Sequence, residues 1–151
     1  MKSIVVYYSK SGNTQKIAQA VATGMGALAK KIEEVKPGEL AAYDVMAFGS
    51  PVHNGAPDKV VSDFISQLPD LKGKKAAFFC TKSLSGDKSA TASVQKTLEA
   101  KGAVFLGGFC AIGWSRFFAN FGPRIIHRGH PNVKELSAAE AFGRGLMAKK
   151  S

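Results

Sequence analysis

The feature that most constrains this fold is the alternation of short apolar runs with segments of helical periodicity. Strands are predicted in brief and mostly apolar runs at residues 3–8, 31–35, 44–49, 75–81 and 103–109. Helices are predicted where apolar residues recur every three or four positions, at residues 14–28, 60–68, 93–101 and 133–148. Strands that alternate with helices build a parallel sheet covered on both faces. We therefore expect one doubly wound α/β domain spanning residues 1–151, with a five-stranded parallel sheet in the order 2-1-3-4-5.

Length and composition describe an ordinary globular protein. With 151 residues the chain is long enough to bury its own hydrophobic core. Its hydrophobic fraction of 45% and charged fraction of 21% argue against intrinsic disorder, collagen-like repeats and disulfide-stapled scaffolds. Cys80 and Cys110 lie in apolar runs without the CxxC spacing of zinc sites. We expect them to be buried small hydrophobic residues in a protein of a reducing compartment.

The N-terminal segment does not resemble a targeting sequence. The apolar run at residues 4–8 is too short for the core of a signal peptide. No stretch of the chain approaches the ~18 consecutive apolar residues that indicate a membrane span. We therefore expect a cytoplasmic protein.

The charge of the chain is strongly positive. Lys and Arg number 21 against 11 Asp and Glu, a formal net charge of +10, and no acidic residue occurs between Glu99 and Glu135. Such a field attracts anions, so we expect a negatively charged substrate or partner, such as an acidic protein surface. No helix-turn-helix or RNA-binding signature accompanies the charge, and we expect no nucleic-acid partner.

A loop of hydroxyl side chains lies between the first predicted strand and the first predicted helix. It consists of Ser9, Lys10, Ser11, Gly12, Asn13 and Thr14. The first amides of a helix have no partner inside the helix, the helix dipole favours an anion, and glycine lets the backbone approach a phosphate closely. The same residues also suit a helix cap without a ligand, because Asn and Thr are common capping residues.

This loop resembles the FMN phosphate loop of flavodoxins, a hydroxyl-rich T/S-x-T/S-G-x-T segment directly after the first strand. Residues 49–57, Gly-Ser-Pro-Val-His-Asn-Gly-Ala-Pro, are similar to the flavin-facing loop after the third strand of that family. Residues 109–110 and 129–132 also resemble small flavodoxin-family proteins. The resemblance covers nearly the whole chain and implies a flavodoxin-like fold.

The resemblance implies noncovalent FMN, with its phosphate at residues 9–14 and its ring between the loops after the third and fourth strands. His53 is expected to stack on the ring or to donate a hydrogen bond to it, unless it is a solvent-facing turn residue. The chain departs from the family at residues 82–88, which contain no aromatic residue to stack on the flavin. The implied contacts beyond the first loop are Pro51, Val52, His53, Asn54, Gly55, Thr81, Lys82, Ser83 and Gly86.

A long basic and aromatic segment, residues 111–132, separates the fifth predicted strand from the last helix. Loops of this length are uncommon and often functional. Three interpretations are open: a structural wrap that buries its aromatic residues, a lid over the flavin that uses Trp114, and a patch for an anionic partner or membrane surface.

Three functions remain open at this stage. The first is an FMN-binding electron carrier that serves a redox partner protein. The second is an FMN-dependent reductase or dehydrogenase acting on a quinone or related acceptor, with Trp114 and Arg116 near it. A flavodoxin-like, menaquinone-dependent protoporphyrinogen dehydrogenase is similarly basic and has a long insertion near the same place. The third is a non-redox module that binds another phosphate or none.

Two other chemistries are weaker. Cys110 and Arg116 have the Cys-x5-Arg spacing of thiol phosphatases. We interpret this spacing as accidental, because Trp114 is too bulky for a phosphate cradle and the segment follows the fifth strand instead of the first. A receiver domain, which shares this fold, is excluded because Tyr8 and Ser9 stand where it requires acidic residues.

Overall fold

The computed structural model describes residues 1–82, 86–112 and 131–148, which form a parallel sheet with helices on both faces. The strands are β1 (Ser3–Tyr7), β2 (Leu28–Lys31), β3 (Val45–His53), β4 (Ala56–Pro57), β5 (Lys75–Lys82) and β6 (Val104–Ile112). The helices are α1 (Asn13–Met25), α2 (Lys59–Ser66), α3 (Asp87–Ala100) and α4 (Val133–Ala148), with 3-10 turns at Ile32–Glu34 and Pro37–Ala42. None of these helices is long and apolar enough to cross a membrane.

The sheet has the order β2-β1-β3-β5-β6, and each neighbouring pair along it is parallel. These five strands are the first to fifth strands predicted from the sequence, so the predicted order 2-1-3-4-5 is confirmed. The additional strand, β4, pairs antiparallel with the end of β3. The sheet separates two hydrophobic clusters: Phe78 packs in the cluster with α2 and α3, and Phe79 in the cluster with α1 and α4.

Several predicted boundaries differ from the structure: β3 and β6 extend further than predicted, and α3 begins earlier, at Asp87. Two further differences lie near the start of the chain, and a glycine explains the first. The helix predicted at residues 14–28 ends at Met25, because Gly26 adopts a left-handed conformation with φ of 68° and caps it. The strand predicted at residues 31–35 lies instead at Leu28–Lys31, none of whose residues is fully buried. Residues Ile32–Glu34 form a 3-10 turn instead of a strand. Its period of three residues explains why the apolar residues Ile32 and Val35, three positions apart, are both buried.

The two cysteines are bonded to each other, so the expectation of two separate buried hydrophobic residues is wrong. Cys80 on β5 lies opposite Cys110 on β6, and their α-carbons are 4.5 Å apart. An irregularity in β6 produces this register, because Ala76 pairs with Phe105 whereas Phe78 pairs with Gly108. One extra residue in β6 therefore moves Cys110, in place of its neighbour, opposite Cys80.

Helices α1 and α4 approach each other so closely that only glycine fits at two positions. A β-carbon at Gly24 of α1 would overlap the carbonyl oxygen of Glu140. A β-carbon at Gly143 of α4 would likewise overlap the carbonyl oxygen of Val21. Glycine costs about 1 kcal/mol in a helix interior relative to alanine, so the close packing must offset that cost. Both glycines are therefore required by packing.

Replacing Gly143 with alanine is expected to lower the free energy of unfolding by about 1–3 kcal/mol, since the two helices must move apart. Gly145 lies on the same helix with open space around its α-carbon and provides the matched control. Gly145→Ala is expected to raise the unfolding free energy by up to about 1 kcal/mol. Urea denaturation of both variants checks the pair, and equal effects of the two substitutions would contradict the packing argument.

Candidate functional site

Three loops meet at the carboxyl edge of the sheet, because the strands that carry them run in the same direction. The first loop follows β1, the second is the turn between β3 and β4, and the third follows β5. In doubly wound folds, ligands bind at this edge, where the strand order reverses. Here the reversal falls between β1 and β3.

The loop after β1, residues 9–14, is called the anion loop here. The backbone N–H of Gly12 donates to Oγ of Ser9 at 3.0 Å, which fixes the turn before α1. Gly12 has φ of 88°, and no atom lies within 4 Å of the position of a β-carbon there. The side chains of Lys10 and Ser11 are exposed to solvent. Hydroxyl groups, an ammonium group and the start of a helix thus surround open space, a donor set that suits a phosphate.

The start of α1 is joined to β5 by a buried hydrogen bond between two hydroxyl groups. Oγ1 of Thr14 lies 2.8 Å from Oγ1 of Thr81, and these residues are only 1% and 5% exposed. A buried hydroxyl without a partner costs about 1–3 kcal/mol, so the pair strongly favours this arrangement. Two predicted site residues that are 67 positions apart are therefore in direct contact.

The loop predicted at residues 49–57 is instead the end of β3 and a β-hairpin that joins it to β4. Its two-residue turn consists of Asn54 and Gly55, with φ of 51° and 78°. Positive φ at both central residues is the signature of the type I′ turn that suits twisted hairpins. Of the predicted ring contacts, His53 is exposed, Pro51 is half-buried, and Val52 packs in the cluster with α2 and α3.

The turn of the hairpin touches the start of α3. A β-carbon at Gly86 would lie 2.7 Å from the α-carbon of Gly55, a separation that side chains essentially never show. Gly86 precedes α3 and has φ of 103°, which also favours glycine. The loops after β3 and β5 are therefore in backbone contact at this point. Ser83, which was also predicted to contact the flavin from the loop after β5, lies outside the described residues. Trp114 and Arg116 lie outside them as well.

A buried carboxylate that the sequence analysis did not single out connects two of the loops. Asp58 is 8% exposed and caps α2 by accepting a hydrogen bond from the amide of Val60 at 3.0 Å. Its Oδ2 lies 3.3 Å from Nε2 of His53 and 3.8 Å from Nζ of Lys10. Asp directly before a helical apolar pattern is a recognised capping signal, so the sequence contained a clue to this residue.

Lys82 at the end of β5 forms an ion pair with Asp87, the first residue of α3. Nζ of Lys82 lies 2.9 Å from Oδ1 of Asp87. The hydrogen bond from this ammonium group holds the pKa of the Asp87 carboxyl below its usual range. The side chains are 24% and 30% exposed, so the pair is only partly shielded from water.

Cys110 contributes no free thiolate, because it is bonded to Cys80. The thiol-phosphatase interpretation requires that thiolate as its nucleophile. Its arginine, Arg116, lies outside the described residues. The structure therefore gives that interpretation no support.

Comparison with known proteins identifies a matching family. The flavodoxin domain family matches residues 4–109. An uncharacterised protein of Methanocaldococcus jannaschii is 30% identical over 151 residues, which cover 97% of this chain and 99% of that protein. A flavodoxin of Megasphaera elsdenii is 31% identical over 111 residues, 68% of this chain and 80% of that one. The structure of oxidised flavodoxin 2 from Bacillus cereus superposes with a TM-score of 0.78 at 21% identity, covering 99% of this chain and all of that one.

The Lys82–Asp87 pair makes a pH-dependent contribution to stability. Because folding lowers the pKa of Asp87, the contribution is complete above the ordinary carboxyl pKa of about 4 and is lost as the pH falls through the lowered value. Asp87→Asn is expected to reduce the unfolding free energy at pH 7 by about 1 kcal/mol or less. Urea denaturation between pH 7 and pH 2 tests this, and a deficit that persists unchanged in acid would contradict it.

Proposed function

This chain belongs to the flavodoxin domain family, and on that premise we propose that it binds FMN noncovalently and carries electrons between redox partners. Bound FMN would supply the electron-transfer chemistry, because flavins readily accept and release electrons. The observation that carries the proposal is the anion loop. Its hydroxyl groups, helix N-terminus and open glycine lie at the switch point of the sheet.

The anion loop is proposed to hold the phosphate of FMN. Ser9 and Ser11 supply hydroxyl donors, and Gly12 leaves room for an oxygen next to the backbone. Thr14 is bonded to Thr81, so its main role is to fix the start of α1 against β5. Lys10 supplies a positive charge at the mouth of the loop. The donor set therefore matches a doubly charged ester.

The ring of FMN is proposed to lie against the hairpin after β3 and the loop after β5. His53, Asn54 and Gly55 form the hairpin side of this site, with Pro51 at its base. The other side is formed by the start of the loop at Lys82 and by its end at Gly86. Since Gly55 and Gly86 are in contact, the ring must lie to one side of that contact or separate the two loops on binding.

The redox partner is proposed to present an acidic surface. A net charge of +10 attracts such a surface from a distance and accelerates encounter, especially at low ionic strength. Two ion pairs at the carboxyl edge involve Lys10 and Lys82, both of which reach the surface. An exposed cofactor edge surrounded by basic residues would suit electron transfer through a transient protein contact.

A reductase acting on a quinone is the second candidate, favoured by the absence of aromatic residues at positions 82–88. A ring face without a stacked aromatic side chain would be open to a flat acceptor. Steady-state turnover of NAD(P)H with quinone by the FMN-loaded protein would support the reductase. Electron exchange confined to protein partners would support the carrier.

Titration of the apoprotein with FMN, followed by calorimetry and visible absorption, tests the proposed site. Gly12→Ala is expected to weaken FMN binding by at least about tenfold, or 1.4 kcal/mol. The new methyl group would occupy the open space of the anion loop, and alanine does not readily adopt φ of 88°.

Gly73→Ala is the matched control for this experiment. Gly73 also has a positive φ, 81°, and open space around its α-carbon, but it lies in the turn before β5, away from the anion loop. Both substitutions place alanine at a positive φ and so destabilise the fold by a similar mechanism. Only Gly12→Ala alters the anion loop, so only this variant should lose affinity for FMN. Equal affinity in both variants, or no binding by the unmodified chain, would contradict the proposed site.

A further inference from the structure

We propose that Cys80 and Cys110 form a reversible redox site, a disulfide that dithiol reductants open in the folded protein. The site lies on β5 and β6 near the carboxyl edge of the sheet. Neither cysteine is among the predicted flavin contacts, although Thr81, which directly follows Cys80, is one of them. The chain contains two cysteines, so no other thiol competes for either sulfur.

A local irregularity of the sheet brings the two cysteines together. With the register seen at Ala76 and Phe105 continued along the strands, Cys80 would face Phe109. The extra residue in β6 shifts the pairing by one and places Cys110 opposite Cys80. Gly107 lies within this irregularity and has φ of 138°, a conformation that favours glycine. The backbone is thus shaped in a way that makes the bond possible.

The two cysteine residues differ in their exposure to solvent. Cys80 is fully buried between the neighbouring strands, with 0% of its surface exposed. Cys110 is partly exposed on β6, the last strand of the described sheet. Thiol–disulfide exchange begins when a thiolate reaches one of the two sulfur atoms. Because Cys110 is the more exposed residue, we expect the attack at its Sγ.

Reduction then proceeds in two balanced steps. A thiolate of the reductant attacks Sγ of Cys110, a mixed disulfide forms, and the electron pair of the broken bond leaves with Cys80, which takes up a proton. The second thiol of the reductant, as its thiolate, attacks the reductant sulfur in the mixed disulfide. Cys110 leaves with that electron pair and is protonated, and the reductant becomes a cyclic disulfide. Two electrons and two protons have moved to the chain.

The geometry favours dithiols over monothiols as reductants. The α-carbon of Cys80 stays 4.5 Å from that of Cys110 as long as the strands remain paired. A mixed disulfide with a monothiol is therefore attacked by Cys80, which restores the original bond faster than a second monothiol arrives. A dithiol carries its own second thiol and completes the reaction.

The bond has structural neighbours that belong to the candidate site. Thr81 follows Cys80 directly and holds Thr14 at the start of α1. On the strand that flanks β5 opposite β6, Ser50 of β3 pairs with Cys80. Oγ of Ser50 accepts a hydrogen bond from the amide of Asp58 at 2.8 Å. Opening the bond removes a covalent tie next to both contacts, so we expect the reduced form to bind FMN more weakly. This consequence rests on the proposed function.

The first experiment counts thiols in the folded protein. The folded chain is incubated with dithiothreitol, or with glutathione at the same thiol concentration, and is then freed of reductant at low pH. Excess iodoacetamide in urea next alkylates every free thiol, whether buried or exposed, and the product is weighed by mass spectrometry. We expect two alkylated cysteines after dithiothreitol, none after glutathione, and an unchanged far-ultraviolet circular dichroism spectrum. A bond that opens only in denaturant would overturn the proposal, as would cysteines that stay unpaired after oxidation.

Single variants test which sulfur is accessible. Cys80→Ser leaves only Cys110 as a thiol, whereas Cys110→Ser leaves only the buried Cys80. Iodoacetamide is expected to modify the Cys80→Ser variant much faster than the Cys110→Ser variant. Equal rates in two folded variants would overturn the assignment of Cys110 as the atom attacked.

The coupling to the anion loop is measured by calorimetric titration with FMN in the oxidised and reduced states. We expect a loss of affinity on reduction, and no change on adding dithiothreitol to the double variant Cys80→Ser/Cys110→Ser. Equal affinity in both states of the unmodified chain would overturn the coupling. Absence of FMN binding in the oxidised state would instead contradict the proposed function, while the thiol counts would still decide the redox site.

Discussion

Parallel pairing of the strands is the constraint on which the site depends. It collects three loops and both cysteines at one edge, although these residues are far apart along the chain. The edge is also stepped. Tyr7 at the end of β1 faces Gly49, and β3 continues to His53, so the hairpin rises above the anion loop. A ligand at the switch point would therefore contact the anion loop below it and the β3–β4 hairpin beside it.

The buried pair Thr14 and Thr81 holds the anion loop in place. Thr14 at the start of helix α1 reaches Thr81 on β5. Nearby, the ring of Phe79 on β5 lies over Gly49 of β3, where a β-carbon would overlap it. Away from water, a hydrogen bond between two hydroxyl groups is strongly preferred to two unpaired groups. The position of the anion loop thus depends on a contact made by its last residue, beneath the surface that would meet a phosphate.

Much of the fold was predictable from the sequence, because local patterns dictate it. The apolar runs and helical periods located all five parallel strands, with the second displaced, and the bounds of α4 were predicted without error. The anion loop was also predictable, since hydroxyl residues between a strand and a helix have a direct physical meaning. The contacts between distant residues were not. The bond between Cys80 and Cys110 depends on one extra residue in β6, and a single sequence gives no sign of such a shift in register.

Two basic side chains at the carboxyl edge lie close to acidic partners: Lys10 near Asp58, and Lys82 near Asp87. Asp58 lies within 3.8 Å of Lys10, but Lys10 is 63% exposed, so the interaction is weak. The carboxylate itself is held firmly, because it also caps α2 and contacts His53. Asp58 thus weakly attracts the exposed ammonium group of Lys10, which lies on the anion loop. A phosphate bound as proposed would offer Lys10 a second acidic partner, while Asp58 would keep its cap of α2 and its contact with His53. The backbone of the loop is held in place and its ammonium group is exposed, a combination that would favour the affinity of the proposed site for a doubly charged ligand.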